Sequence, residues 1–169
     1  LKKRNCVGIA FTYNEPLIGW EYVYDTSKLA KKYGMATVVV TNGYINQRPL
    51  EKILPFVDAM NIDLKSFNPN FYNNIHGDLD TVKRTIELAY KHCHIEITLL
   101  VVTGENDNEK EIAHLSSWLS TIDKNIPLHI SRFFPAYKYD HLSPTPVKTI
   151  YNFVDIAKKY LNFVHAGNC

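Results

Sequence analysis

The chain has 169 residues, 46% hydrophobic and 12% aromatic, enough for one sizeable core and short for two comfortable domains, so residues 1–169 are expected to form a single domain. Nineteen Lys and Arg against seventeen Asp and Glu leave a formal charge of +2, too little for an electrostatic footprint on nucleic acid or an anionic membrane. No run approaches the roughly 20 apolar residues of a membrane-spanning helix, and Leu1-Lys2-Lys3-Arg4-Asn5 is not followed by a signal-like apolar stretch, so a cytoplasmic protein without nucleic-acid or membrane partners is expected.

The first element in the chain is an apolar run, Val7-Gly8-Ile9-Ala10-Phe11, which reads as a buried strand; its abrupt position predicts that something precedes it in the natural protein. From Ile18 to Tyr33, Trp20, Val23, Tyr24, Ser27, Leu29 and Ala30 form a helical stripe that Gly34 stops. Ala36–Val40 is a β-branched strand, Pro49–Phe56 a helix, Ala59–Asp63 a strand, Leu79–His92 a helix and Ile95–Val101 a strand. A helix over Glu109–Ser120, a strand at Leu128–Ile130, a helix over Pro146–Tyr160 and a short strand at Phe163–His165 complete the alternation. Strand and helix in strict alternation demand right-handed crossovers and a parallel sheet, either doubly wound or curved toward a barrel. The irregular stretches Ser66–Gly77 and Arg132–Thr145 are long enough to be functional loops.

In parallel α/β folds ligands bind at the carboxyl ends of the strands. Those ends are polar in this chain: Thr12-Tyr13-Asn14-Glu15-Pro16, Thr41-Asn42-Gly43, Asp63-Leu64-Lys65, Thr103-Gly104-Glu105-Asn106-Asp107 and Ser131-Arg132. The strand starts (Cys6, Gly34-Met35, Val57-Asp58, His94, Pro127) offer little convergent chemistry. Turn residues also serve as plain punctuation and helix caps, which is the competing account of each. Glu15 could cap the helix after Pro16 or accept hydrogen bonds from an ammonium group. Asp63 and Lys65 are expected to divide the work, one meeting the ligand and the other bracing it. Arg132, beside Phe133-Phe134-Pro135-Ala136-Tyr137, could hold a carboxylate and a flat ring, or serve as a structural cation. His76, His129 and His165 lack a metal-ligand spacing, and Cys6, Cys93 and Cys169 are too far apart for a local metal knuckle or a disulfide framework; no metal ligand is read from them.

The strand-end motifs carry a family resemblance when taken in order: Ala10-Phe11-Thr12-Tyr13-Asn14-Glu15-Pro16, Val40-Thr41-Asn42-Gly43-Tyr44-Ile45, Met60-Asn61-Ile62-Asp63-Leu64-Lys65, the Gly104–Asp107 turn and His129–Tyr137. From Ile9 to Asn168 the chain resembles radical S-adenosylmethionine (SAM) enzymes related to pyruvate formate-lyase activating enzyme, in the AmmeMemoRadiSam system branch. The resemblance implies an α/β fold, a partial parallel (β/α)6 TIM-like barrel, here with the first strand and cluster loop missing. It implies SAM as cofactor, with a 4Fe-4S cluster in the complete protein. Tyr13-Asn14-Glu15-Pro16 stands at the family's glycine-glycine-glutamate-type motif, so Glu15 would take the methionyl amino group of SAM. Asp63 and Lys65 would lie near the ribose and methionyl parts, Thr41 and Asn42 at the floor, and Ser131 with the backbone around Arg132 beside the adenine.

The family's CxxxCxxC cluster loop is absent from the sequence. The expected function is therefore the greater part of a radical SAM enzyme that, when complete, cleaves SAM reductively at a 4Fe-4S cluster to a 5′-deoxyadenosyl radical, as a glycyl-radical-enzyme-activating type with a protein substrate; the chain alone is expected to be inactive. Two alternatives stand beside it: a cluster-less SAM-fold binding or scaffold module, and an aldolase-like barrel using Lys65 as a Schiff-base amine. An unpaired sheet edge is expected to favour dimerisation.

Overall fold

The computed structural model describes residues 6–169. They divide into two compact units, residues 6–63 with Asp80–Glu96, and Leu64–Leu79 with Ile97–Cys169. Strand order follows chain order and the strand pairs are parallel.

The first unit contains β1 (Gly8–Phe11), α1 (Trp20–Lys32), β2 (Ala36–Thr41), α2 (Gln47–Ile53), β3 (Ala59–Asp63), most of α4 (Leu79–Tyr90) and the first residues of β4 (His94–Val101). β2 pairs with β1 from Gly8↔Ala36 to Phe11↔Val39 and with β3 from Val38↔Ala59 to Thr41↔Ile62. Its β-branched composition suits a pleated surface, and its burial alternates: Thr37, Val39 and Thr41 are covered, Val38 and Val40 less so. The helices cover one face. α1 turns Val23, Ser27 and Ala30 inward, and α4 turns Val82, Thr85, Ile86 and Ala89 inward, the spacing of a helical stripe. Each fully buried aliphatic side chain, such as Leu50, Ile53 or Ile86, contributes roughly 1.5–3 kcal/mol by leaving water. Gly34, at φ +67°, ends α1 in the left-handed conformation that a glycine adopts without a Cβ penalty.

The second unit contains α3 (Pro69–Asn74), the rest of β4, α5 (Glu109–Ile122), β5 (Leu128–Arg132), α6 (Val147–Ala157) and β6 (Val164–Gly167). β5 pairs with β4 from Ile97↔Leu128 to Val101↔Arg132 and with β6 from Leu128↔Val164 to Ser131↔Gly167. Ile112, Leu115 and Leu119 of α5 and Ile150, Phe153, Val154 and Ala157 of α6 bury the helix side of these strands. Asn108 caps α5 by accepting from the amides of Lys110 (2.9 Å) and Glu111 (3.4 Å).

The expected strands and long helices are all present, in the expected α/β alternation with parallel strand pairs. The differences are local. Pro16–Gly19 is a separate 3-10 turn before α1, because Pro16 starts a turn that Gly19 lets end. Within the stretch 66–77, read as irregular, α3 forms behind an Asn68 cap whose side chain accepts from the Asn70 amide (2.9 Å). β5 runs on through Ser131 and Arg132, and β6 is shifted to Val164–Gly167. Among the described residues no helix is long and apolar enough to cross a membrane.

Candidate functional site

In the first unit the carboxyl ends of β1 and β2 are tied together by one carboxylate. Glu15 caps the 3-10 turn, its Oε1 accepting from the Leu17 amide at 3.0 Å. The same oxygen accepts from Thr41 Oγ1 at 2.6 Å, and Oε2 accepts from the Asn42 amide at 2.7 Å. The capping role expected of Glu15 is present, and the same side chain also ties the ends of β1 and β2 together. All three donors are neutral; among the described residues Glu15 has no cationic partner. A carboxylate offers about four acceptor positions, and Oε2 is engaged once.

The Thr41-Asn42-Gly43 turn is itself held in place. Thr41, 2% exposed, accepts from the Gly43 amide (3.1 Å), and Asn42 Oδ1 accepts from the Tyr44 amide (2.8 Å). Gly43 sits at φ +70°, where a Cβ would meet Ile62 Cγ2 at 2.9 Å. From α4, Thr85 Oγ1 donates to the Gly43 carbonyl (2.8 Å) and Arg84 Nη2 to the Ile45 carbonyl (3.2 Å). These two supports were not found in the sequence; the only signal was a polar residue, Thr85, on the inward stripe of a helix. Tyr13 is 94% exposed and Asn14 is exposed, and neither joins the Glu15 hydrogen bonds. Asp63 is half-buried at the end of β3. A groove of about 520 Å³ follows β1 and α1, lined by residues that include Ile9, Phe11, Tyr13 and Tyr22.

In the second unit Lys65 lies past the strand, half-buried like Asp63 and alternating with buried Ile62 and Leu64. The two therefore fall on the same side of the burial alternation, and the expected division of labour finds no basis in their placement. The Lys65 backbone is clamped: its amide donates to Tyr72 Oη (3.0 Å) and its carbonyl accepts from Asn106 Nδ2 (2.7 Å). Asn106, 3% exposed, also donates to the Leu100 carbonyl (2.9 Å) and accepts from the Val102 amide (2.7 Å), so the Gly104–Asp107 turn is a structural clasp. Ser131 faces Gly167, where a Cβ would come within 2.6 Å of Ser131 Oγ. Arg132 Nε donates to the Thr145 carbonyl (2.6 Å) while its guanidinium lies 4.6 Å from the Phe134 ring centroid, so it braces the loop and stacks on one ring of the aromatic run. His129 and His165, each read alone in the sequence, are register partners with rings stacked at 5.3 Å.

The opposite ends of the first unit's strands carry a different hub. Asp58 pairs with Lys31 and accepts from the Thr37 amide (2.7 Å) and hydroxyl (3.3 Å). The hydrogen bond from Lys31, aided by Thr37, holds its carboxyl below the usual carboxylate range against a desolvation that opposes it. Cys93 is half-buried, and burial, with the Asp58 charge, pushes its thiol up to about 11.

The model of the Radical SAM superfamily matches residues 1–116. The chain belongs to this superfamily. It is 41% identical over 168 residues to an uncharacterized protein of Methanocaldococcus jannaschii, covering 97% of this chain and 50% of that protein. It is 27% identical over 117 residues to the pyruvate formate-lyase 1-activating enzyme of Escherichia coli K12, covering 66% of this chain and 47% of the enzyme. Among solved structures, a domain of pyruvate-formate lyase-activating enzyme from Bacteroides vulgatus superposes with TM-score 0.80 at 18% identity, over 95% of this chain and 99% of that domain. A radical SAM methyltransferase from Sphaerobacter thermophilus superposes at 0.71 and 13% identity, over 95% of this chain and 50% of the other. These likenesses establish the fold, and the chain spans about half the length of the curated relatives it matches.

Membership of the superfamily implies SAM and a 4Fe-4S cluster. The residues described here do not fit the cluster. Cys6 and Cys93 are half-buried, Cys169 is exposed, and no group of three or more His, Cys, Asp or Glu among the described residues could hold a metal. Cluster ligands must be thiolates, and the Cys93 thiol is shifted away from that state. The fit to SAM is better, because Glu15 offers a carboxylate with neutral partners at a polar strand end.

Proposed function

We propose that the chain, as one radical SAM barrel domain over residues 1–169, is the SAM-binding part of an enzyme that reductively cleaves SAM to a 5′-deoxyadenosyl radical and acts as an activating enzyme on a protein substrate. The observation that carries this reading is the Glu15 carboxylate at the joined ends of β1 and β2, with three neutral donors and, among the described residues, no cationic partner. A methionyl ammonium supplies the missing charge and donates to Oε2. Around it Thr41 and Asn42 form the floor, with Tyr13 and Asn14 on the same loop as Glu15. Asp63 and Lys65 are proposed to serve the ribose and methionyl parts, and Ser131 with the Arg132 backbone the adenine. The cluster supplies the electron for cleavage when bound; the residues described here do not hold it, so this chain alone is expected to bind SAM without cleaving it.

The test is anaerobic expression of the natural protein beyond residue 1, with iron, sulfide and dithionite-dependent 5′-deoxyadenosine measured in parallel with the 169-residue chain. Iron, sulfide and product in the longer protein, and SAM binding without product in the chain, are expected. A longer protein without iron or product would leave a SAM-fold binding module as the better account. Among the described residues β1 is an edge strand, and Tyr13, Ile18 and Tyr22 beside it are 94%, 85% and 70% exposed. Association through this edge is therefore proposed for the isolated chain, and light scattering that finds only monomer would remove it.

A further inference from the structure

A row of aromatic rings and a row of carboxylates run side by side along α1. Trp20 and Tyr24 are half-buried and one turn apart; Glu21 and Asp25, each one residue further on, are exposed. The i, i+4 spacing keeps each pair on one strip of the helix. Phe56, in the 3-10 turn after α2, meets Tyr24 edge-on with centroids 5.4 Å apart, and with Glu51, Lys52 and Pro55 these residues line a pocket of about 360 Å³. It shares no residue with the Glu15 constellation.

Two of the chain's own cations already rest on these rings. Lys52 Nζ lies 5.4 Å from the Trp20 centroid and Lys28 Nζ 5.5 Å from that of Tyr24. Among the described residues neither ammonium has a carboxylate partner, and Glu21 and Asp25 have no hydrogen bond or ion pair. Glu51 accepts from Gln47 Nε2 at 2.7 Å and so keeps its charge unpaired by a cation. The pocket therefore combines ring faces that attract cations with three carboxylates against one lining ammonium.

We propose that this pocket receives the arginine or lysine side chain of a partner protein. A guanidinium lies flat on an indole face while its N–H groups reach the Glu21–Asp25 row. The carboxylates are at the solvent-exposed rim, so a side chain can enter while its own backbone stays outside. Lys52 is exposed, on a flexible stem and without an ion pair, so an entering cation displaces it without breaking one.

The chain contains two tryptophans, Trp20 and Trp118, so the 169-residue chain carrying Trp118→Phe reports on Trp20 alone. Its emission is titrated with the blocked tripeptides Gly-Arg-Gly and Gly-Lys-Gly, with Gly-Gln-Gly as the neutral control and choline as a small cation. The proposal expects a saturable response to the arginine or lysine peptide and none to the glutamine peptide. Glu21→Gln with Asp25→Asn should weaken that binding by about threefold, whereas Lys52→Ala, which removes the internal competitor, should tighten it about two- to fivefold. Both sets lie on exposed side chains, and circular dichroism is used to check that they fold. Equal responses to arginine and glutamine peptides, no saturable response, weakening by Lys52→Ala, or binding of choline without either cationic peptide would each overturn it.

Discussion

Two carboxylates organise opposite ends of the first unit's strands, Glu15 joining β1 to β2 and Asp58 joining β2 to β3, and their charges are met differently. Asp58, at the amino ends, meets Lys31 and both polar groups of Thr37, so its charge is balanced inside the protein. Glu15, at the carboxyl ends, gathers Leu17, Thr41 and Asn42, which supply dipoles but no charge. A hub that only holds the fold has every reason to carry its own counter-ion, as Asp58 does. A hub left negative among neutral donors suits a ligand that brings a cation. The difference agrees with the general division of parallel α/β folds, in which one end of the sheet serves stability and the other serves binding.

The largest effect on this contrast is expected from Gly43→Ala. A methyl group at φ +70° and 2.9 Å from Ile62 Cγ2 adds backbone strain to overpacking, a cost of about 2–4 kcal/mol in urea unfolding. Thr41→Val should follow, at about 1–3 kcal/mol, since it removes the donor to Glu15 and the acceptor of the Gly43 amide while preserving shape; hydrogen exchange at Gly43 reads the loss locally.

At the other end Asp58→Asn should cost about 1 kcal/mol at neutral pH, discounted because the Lys31 pair is partly exposed. The folded Asp58 carboxyl is depressed, so its contribution is full above the ordinary carboxylate range and is lost as pH falls through the depressed value; wild type and Asp58→Asn should converge in stability there. At neutral pH the smallest effect belongs to Cys93. Its thiol is raised from 9.0 to about 11, so its contribution is present below pH 9 and is lost as pH rises from 9 toward 11. Cys93→Ser should flatten that alkaline fall, and at neutral pH a thiol reagent should modify exposed Cys169 well before Cys93.

The alternation of β-branched runs with helical stripes made the architecture legible, because burial on one side of a strand and on one stripe of a helix leaves its period in the sequence. Thr12–Pro16 and Thr41–Gly43 were legible as strand-end motifs for the same reason. That Glu15 joins them was not, since hydrogen bonds 26 and 27 residues apart depend on register rather than on local pattern. Asn106 reads in the sequence as part of a polar strand end, and that it clasps Lys65 and Leu100, 41 and 6 residues away, is visible only in the fold. Asp58 sits at a strand start with little convergent chemistry around it in the sequence, and nothing local announces that Lys31 and Thr37 converge on it.

The central claim is that the charge of Glu15 awaits the methionyl ammonium of SAM, and calorimetric titration of the chain and its Glu15→Gln variant with SAM and with methylthioadenosine, which lacks that ammonium, tests it most directly. The account predicts that Glu15→Gln weakens SAM binding at least about tenfold, the worth of a hydrogen bond to a charged group, and leaves methylthioadenosine binding unchanged. Equal affinity of both proteins for SAM would contradict it and make Glu15 a cap and a brace only.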